Sequence, residues 1–596
     1  MATYKTPGVY VQEISLFPPS IAEVATAIPA FIGYTERAEY KGQSLTNIPT
    51  RITSMVEFRE IFGSTPRCKS IQVDLDGSNT PVNVTVESNF NLYHSLQIFY
   101  ANGGGNCYIT SIGGFDEDIS PTKFIDGMKA LEKYDEPTML VFPDAALMTA
   151  DNLKLVHQTA LSQCALLGDR VAVLDLKETD SASTTAANFR DKIGTNNLKY
   201  GAAYMPYLRV ELSPKIRFST TSIRKNGAAT TLKDIFDNLV ASSLMKTTDD
   251  AYVALENIKT DTDKIATATT GNIARQRSDW SDKIQKINRK ILFQTITAGD
   301  KTAIDADLTA AIAKLTAMTL TVVAADAARD DASAKLTAIK TEIAKPAPDS
   351  ALIEADRIIF VGKMINLELE VGMTESAIAT NETILRNTSS IFANIANAIS
   401  SSGLIIPPSA VMAGVYTAVD AERGVWKAPA NVSLNFVIEP TLKIDNFEQE
   451  NLNVDVNGGK SINVIRAFTG KGTLVWGART LMGNDNEWRY VPVRRFFNMV
   501  EESVKKSTEW AVFEPNDSKT WGKVKGMIDN YLYQKWMDGA LAGARPDDAY
   551  FVKVGLGLTM TPQDVLEGRM IVEIGMAVVR PAEFIILKFS HKLQRS

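Results

Sequence analysis

The sequence predicts a multidomain chain of mixed α/β and α+β class. It should have an α/β middle domain, a helical surface insertion, a C-terminal α+β core and a β-strand arm at each end. Three observations predict this. Between residues 106 and 208, apolar runs without clear alternation are interleaved with amphipathic helical segments, the pattern of a parallel sheet covered on both sides. Between 461 and 579, two aromatic-rich helical segments lie between pairs of strand-like runs. From about 213 to 350 the composition turns to Ala, Thr, Asp and Lys. A chain of 596 residues with 45% hydrophobic content can bury several cores, so three or more domains are expected.

Residues 1–20 form the first arm. Pro7 to Ile14 reads as a short strand with Val9 and Val11 on one side and Tyr10 and Ile14 on the other, set off by Phe17-Pro18-Pro19. Residues 21–212 form the α/β domain. Its expected strands are Cys107 to Ile112, Thr138 to Phe142, Val171 to Leu176 and Tyr200 to Tyr204, with helices at Pro121 to Lys133 and Asp151 to Leu167. In the second helix Leu153, Val156, Ala160, Cys164 and Leu167 share one face.

Residues 213–350 read as a mainly helical insertion on the outer surface, where length changes are tolerated. Ile304, Leu308, Ile312 and Leu315, then Leu336, Ile339 and Ile343, give two helical stripes and hence a hairpin, ended by Lys345-Pro346-Ala347-Pro348. No aromatic residue occurs between Gln294 and Ser350, so no large independent core is expected there. Residues 351–402 return the chain to the middle domain, and Gly403 to Pro408 leads into the core at 403–579.

In that core Ile462 to Arg466 and Leu474 to Ala478 are strand-like. The helix from Tyr490 places Val493, Phe496, Phe497, Val500 and Val504 on one face, which must be buried. The other face carries Arg494, Arg495, Glu501, Glu502, Lys505 and Lys506, with Glu501–Lys505 and Glu502–Lys506 in the favourable i,i+4 order. A second helix starts near Asn516-Asp517-Ser518 and buries Trp521, Val524, Ile528, Leu532 and Trp536. Strands at Ala549 to Val554 and Arg569 to Val579 complete the core.

Residues 580–596 form the second arm. Arg580-Pro581 breaks the preceding strand, and Phe584, Ile585, Ile586 and Leu587 lie in a strongly β-prone run. A terminal strand of this kind must join a sheet, in its own chain or a neighbour's.

Composition narrows the function. With 63 basic against 69 acidic residues the net charge is -6, which argues against nucleic acid as a partner. Three scattered cysteines, Cys68, Cys107 and Cys164, suit core thiols in a reducing compartment. No apolar run approaches the roughly 20 residues of a membrane span, so no direct membrane insertion is expected. Gly458-Gly459-Lys460-Ser461 lacks the first glycine of a phosphate loop, since Val454 stands there, and reads as a turn between strands. Gly103-Gly104-Gly105 precedes a strand and reads as a turn. His94, His157 and His591 lie far apart and form no metal or triad motif. Asp144 and Asp175 sit at strand ends where a doubly wound fold places ligands, although loop and cap carboxylates are commoner. The expectation is a protein without cofactor, metal or catalytic residues, made in the cytosol.

Leu404-Ile-Ile-Pro-Pro-Ser-Ala-Val-Met-Ala-Gly-Val-Tyr416 and Asp420-Ala-Glu-Arg-Gly-Val-Trp-Lys-Ala-Pro-Ala-Asn431 resemble the contractile tail sheath proteins of phages, R-type pyocins and extracellular contractile injection systems. The resemblance continues through Val475 to Leu481, Trp488 to Phe497 and Trp536 to Leu541. It reaches back to Thr6 to Glu13, Phe31 to Tyr34, Gly103 to Tyr108 and Tyr204 to Tyr207. It covers roughly residues 1 to 210 and 400 to 596 and leaves out the Ala/Thr-rich insertion.

The resemblance implies a structural subunit, not an enzyme, polymerised as stacked hexameric rings around an inner tube and contracting to drive that tube through a target envelope. It implies baseplate and tail-terminator or cap proteins as further partners. It also implies assembly in the bacterial cytoplasm, as part of a phage tail or phage-tail-like particle. Its arms are exchanged between subunits, which points to Val9, Tyr10, Val11 and Ile14 in one and Phe584, Ile585, Ile586 and Leu587 in the other. Lys519, Lys523 and Lys525, on the polar side of the second C-terminal helix, are candidates to face acidic tube residues, and ordinary solvated lysines are the alternative. Two other readings stand beside this one: an α/β ligand-binding protein or enzyme using the carboxyl edge of the 106–208 sheet, and a static helical polymer.

Overall fold

The structure, a computed structural model, describes residues 21–214, 221–265, 268–318 and 320–587. The expected strand at 7–14, with Val9, Tyr10, Val11 and Ile14, lies outside the described residues. The chain divides into two compact units. The larger comprises Ala27–Glu422 and Pro429–Val491, and the smaller takes its described residues from Met1–Thr26, Arg423–Ala428 and Pro492–Ser596.

The larger unit is built on an eight-stranded sheet. From one edge to the other it runs Gly472–Val475, Asn463–Phe468, Gly201–Met205, Val171–Asp175, Met139–Val141, Pro29–Tyr34, Cys107–Gly113 and Thr50–Ile52. The six inner strands are parallel and both edge strands antiparallel. Ala30 sits opposite both Tyr108 and Leu140, and Gly201 opposite Ala172.

Every residue of Pro29–Tyr34 and Val171–Asp175 is buried, as a sheet covered on both faces requires. Ile32, Leu140 and Leu174 pack with helices Pro121–Leu131 and Ala150–Leu167 on one face. Phe31, Ile109 and Val141 pack with helix Leu92–Ala101 on the other. Gly127 sets the helix spacing, because a Cβ there would meet Ile112 Cγ2 at 2.7 Å.

The expected parallel α/β region is therefore present, but it is wider than the sequence suggests. Asn463–Phe468 and Gly472–Val475, assigned by sequence to a separate C-terminal core, are part of this sheet, with Tyr204 opposite Asn463. Val464, Ile465 and Val475 are at most 1% exposed, and a strand buried on both sides needs neighbours in a sheet. The loop Gly458–Ser461 is a turn between helix Asn446–Asn453 and this strand, not between two strands.

A second core lies in the same unit. A four-stranded sheet, Ala228–Thr230, Thr221–Lys225, Cys68–Leu75 and Pro81–Ser88, packs with a helical array from Leu232–Ala241 to Ser390–Ser402. Ala298–Thr316 and Val323–Ala344 are the expected hairpin helices. They do not stand on a thin core of their own. Buried alanines such as Ala254, Ala311, Ala328 and Ala332 bring the helices close, while Trp280 and Phe360 from outside the aromatic-free stretch supply the bulk, with ring centroids 6.3 Å apart. The return segment is helical almost throughout, with Ser350–Thr388 running 39 residues.

In the smaller unit, helices Val491–Ser507 and Ser518–Met537 pack on an antiparallel pair, Tyr550–Val554 with Val572–Met576. Asp517 is the N-cap of the second helix, accepting from Thr520 N, and both expected strands are found. The charged face of the first helix differs from expectation. Arg494, Arg495 and Glu502 are at most 7% exposed. Arg494 donates to Asn498 Oδ1 at 2.7 Å and pairs with Glu501 at 3.1 Å, and Arg495 donates to Thr26 O at 2.9 Å. Glu502 receives both Lys505 and Lys506. Long stems can be buried when their heads find fixed partners, so helical periodicity alone does not place an arginine in water.

Candidate assembly surface

Asp144 and Asp175, the carboxylates at the strand ends, are both engaged by donors of the chain itself. Asp144 is fully buried beside the strand Pro29–Tyr34. Its carboxylate accepts from Tyr34 N at 2.7 Å, Asn91 N at 2.5 Å and Leu92 N at 3.0 Å, capping helix Leu92–Ala101 across the fold. A Cβ at residue 33 would lie 2.5 Å from Asp144 Oδ2, so Gly33 is what admits the carboxylate. Burial pushes Asp144 up to about 6 against the pull of these three donors.

Asp175 does the same for helix Ser409–Arg423, accepting from Ser409 N at 2.8 Å and Ser409 Oγ at 2.5 Å, and burial pushes it up to about 7. Both are the cap carboxylates that the sequence analysis weighed against a ligand site.

Sequence reasoning missed Arg275, because one arginine among the many charged residues of helix Thr270–Leu292 carries no signal. It is 2% exposed and donates to Thr35 O, Thr35 Oγ1, Ser111 Oγ and Thr46 Oγ1 at 3.1 to 3.2 Å, filling the carboxyl edge of the parallel sheet. The loop Gly458–Ser461 folds onto Asp455, whose carboxylate accepts from Asn457 N and Lys460 N, while Lys460 Nζ donates to Arg190 O. Its amides and lysine are thus already engaged. His94 and His157 are buried on separate helices, and His591 lies outside the described residues. Among the described residues no group of His, Cys, Asp or Glu could hold a metal ion, and no helix is long and apolar enough to cross a membrane.

The residues expected to meet other copies lie in the smaller unit. Among the described residues Tyr550–Val554 and Val572–Met576 form a sheet of two strands only. Past Met576 the chain pairs with residues 540–542, through Ala542 N to Ala577 O at 2.7 Å and Val579 N to Ala540 O at 3.1 Å. Arg580-Pro581 then ends the pairing, and Glu583 to Leu587 adopt no strand.

Phe584, Ile585, Ile586 and Leu587 are 71%, 80%, 78% and 72% exposed. Four consecutive large apolar residues at this exposure are unusual on a folded surface. Lys519, Lys523 and Lys525 are exposed. Lys525 pairs with Asp529 at 2.8 Å, and Lys523 lies over the Trp510 ring at 5.9 Å.

Residues 302–481 match the phage tail sheath protein central domain, and 483–592 match the phage tail sheath C-terminal domain. A putative prophage major tail sheath protein of Pseudomonas aeruginosa (strain UCBPP-PA14) is 30% identical over 106 residues, 18% of this chain and 27% of that protein. The tail sheath protein of Vibrio phage KVP40 is 31% identical over 71 residues, 12% of this chain and 11% of that protein. The aligned segments thus span well under two thirds of either relative.

Among solved structures, the PVC sheath complex of an extracellular contractile injection system in its contracted state is similar over 99% of both chains, with TM-score 0.52 and 24% identity. The anti-feeding prophage helical sheath in its contracted state gives TM-score 0.53 and 24% identity over 99% of this chain and 100% of that one. Residues 302–592 thus carry two phage tail sheath domains in tandem, on a fold that the chain shares from end to end with these contracted sheaths.

Proposed function

We infer that this protein is the sheath subunit of a phage-tail-like contractile injection machine. The observation that carries this reading is the tandem of both sheath domains over 302–592 on a fold that matches contracted sheaths along the whole chain. Copies polymerise as stacked hexameric rings around an inner tube on a baseplate, closed by a cap protein, after synthesis in the bacterial cytoplasm. Shortening of the lattice drives the tube through a target envelope. No bond chemistry enters the stroke; the energy difference lies between two packings of one polymer.

The arms hold the lattice together while it changes length. Val9, Tyr10, Val11 and Ile14 from one copy and Phe584, Ile585, Ile586 and Leu587 from another add strands to the open ribbon Tyr550–Val554 and Val572–Met576. The exposure of all four C-terminal residues supports this. Each backbone hydrogen bond contributes about 1 kcal/mol net, so several per arm outlast the softer side-chain contacts that repack. Lys519, Lys523 and Lys525 face acidic groups of the tube, a polar contact weak enough to release. K523E with unchanged co-assembly on tubes would remove that assignment.

Electron microscopy of the chain co-produced with its tube and baseplate proteins tests the whole reading. Long and short tube-bearing forms are expected, and particles of a single fixed length, or no helical assembly at all, would overturn it.

A further inference from the structure

We propose that two copies of this chain pair antiparallel through the outward face of the helix Ser350–Thr388, with Gly362 of each copy facing Gly362 of the other. Leu352, Ile358, Ile359, Ile365, Leu369 and Met373 are 40–61% exposed along that face. Leu352, Ile359, Leu369 and Met373 fall on a heptad seam with Ala355, Gly362 and Asn366, and Ile358 and Ile365 flank it. Every exposed residue between 351 and 376 is uncharged.

The charged residues interleaved with them are less exposed, and several pair within the subunit. Arg357 pairs with Glu354, Lys363 with Asp331 and Glu368 with Arg277. A solvated helix face ordinarily carries its charges at its most exposed positions, and here apolar and small residues hold those positions while Glu354, Lys363 and Glu370 are only partly exposed.

The occupant follows from the order of the side chains. Ile359 and Ile365 lie at equal distances on either side of Gly362, as do Ala355 and Leu369, and Leu352 and Met373 differ by one position. Turning the helix end over end therefore sets Ile359 against Ile365 and the small Ala355 against the large Leu369. This is the self-complementarity of an isologous pair.

Gly362 itself has no reason within the subunit, since a Cβ there would meet nothing within 4 Å, and glycine weakens a helix. On the axis of an antiparallel pair it lets two backbones approach. The six apolar side chains expose roughly 600 Å² per copy, so a pair would cover about 1,200 Å², the lower bound of specific interfaces. A polar helical stack repeats head-to-tail contacts only, so the pairing joins copies outside a single stack and does not rest on the sheath reading.

The test uses the full chain. The native cysteines among the described residues are free and buried, so an introduced surface thiol is the reactive one. Under mild oxidation G362C should give a covalent dimer as its main product, because the axis brings the two thiols within disulfide reach. S376C, about 20 Å along the same face, should give only collisional background. Adding L369E to G362C should remove most of the dimer. If G362C fails to fold, mixing I359C with I365C chains gives the same readout. Equal dimer from G362C and S376C, or none from G362C and from the mixed pair, would overturn the proposal, the latter assigning the face to a different partner.

Discussion

If the C-terminal arm leaves its own subunit, one charge placed in it should stop assembly without touching the monomer. Ile585 and Ile586 are 80% and 78% exposed, so Asp at either should leave the thermal midpoint of the free chain nearly unchanged. In an added strand, Phe584 and Ile586 point to one side and Ile585 and Leu587 to the other. On the side that meets the neighbour's helices, seating an isoleucine contributes about 2 kcal/mol, and an aspartate in the same seat costs a further 2–4 kcal/mol of unpaired burial. The inward substitution should thus weaken docking by about 4–6 kcal/mol, a thousandfold or more. The outward one should be nearly silent. Particle yield by sedimentation, with contraction scored by electron microscopy, reads both. Wild-type yield and contraction from I585D and I586D alike would refute the exchange of this arm.

The buried caps make stability depend on pH. Asp175 and Asp144 have folded values raised to about 7 and about 6. Their stabilising contribution is therefore complete below the ordinary carboxylate range near pH 4 and is lost as pH rises through 6 to 7. D175N keeps a neutral cap, accepting from Ser409 N and donating to Ser409 Oγ, so denaturation midpoints between pH 5 and pH 8 should fall less steeply than in wild type; an identical slope would show that Asp175 does not titrate there. In helix Val323–Ala344, Leu336 is 0% exposed, and L336A should cost about 2–4 kcal/mol. Hydrogen exchange should quicken across helices Ala298–Thr316 and Val323–Ala344 while strands Cys107–Gly113 and Val171–Asp175 keep their protection. Equal loss in both places would mean that the two cores unfold as one.

The sequence by itself determined which segments leave water and in what local form. Short apolar runs such as Val171–Leu174 between helical segments fit strands covered twice, and the spacing of Val524, Ile528 and Leu532 buries one side of a helix. The family motifs and the β-prone run at Phe584 were equally plain. Tertiary structure alone decided what covers each segment. Asp144 and Asp175 became caps because residues 52 and 234 positions away supplied the donors. Arg494 and Arg495 became core because Asn498, Glu501 and Thr26 O met their heads. Asn463–Phe468 entered the large sheet because Gly201–Met205 offered it an edge. Periodicity measures the need of a side chain for burial, whereas the partner that meets the need comes from distant parts of the chain, and that pairing is fixed only when the whole fold closes.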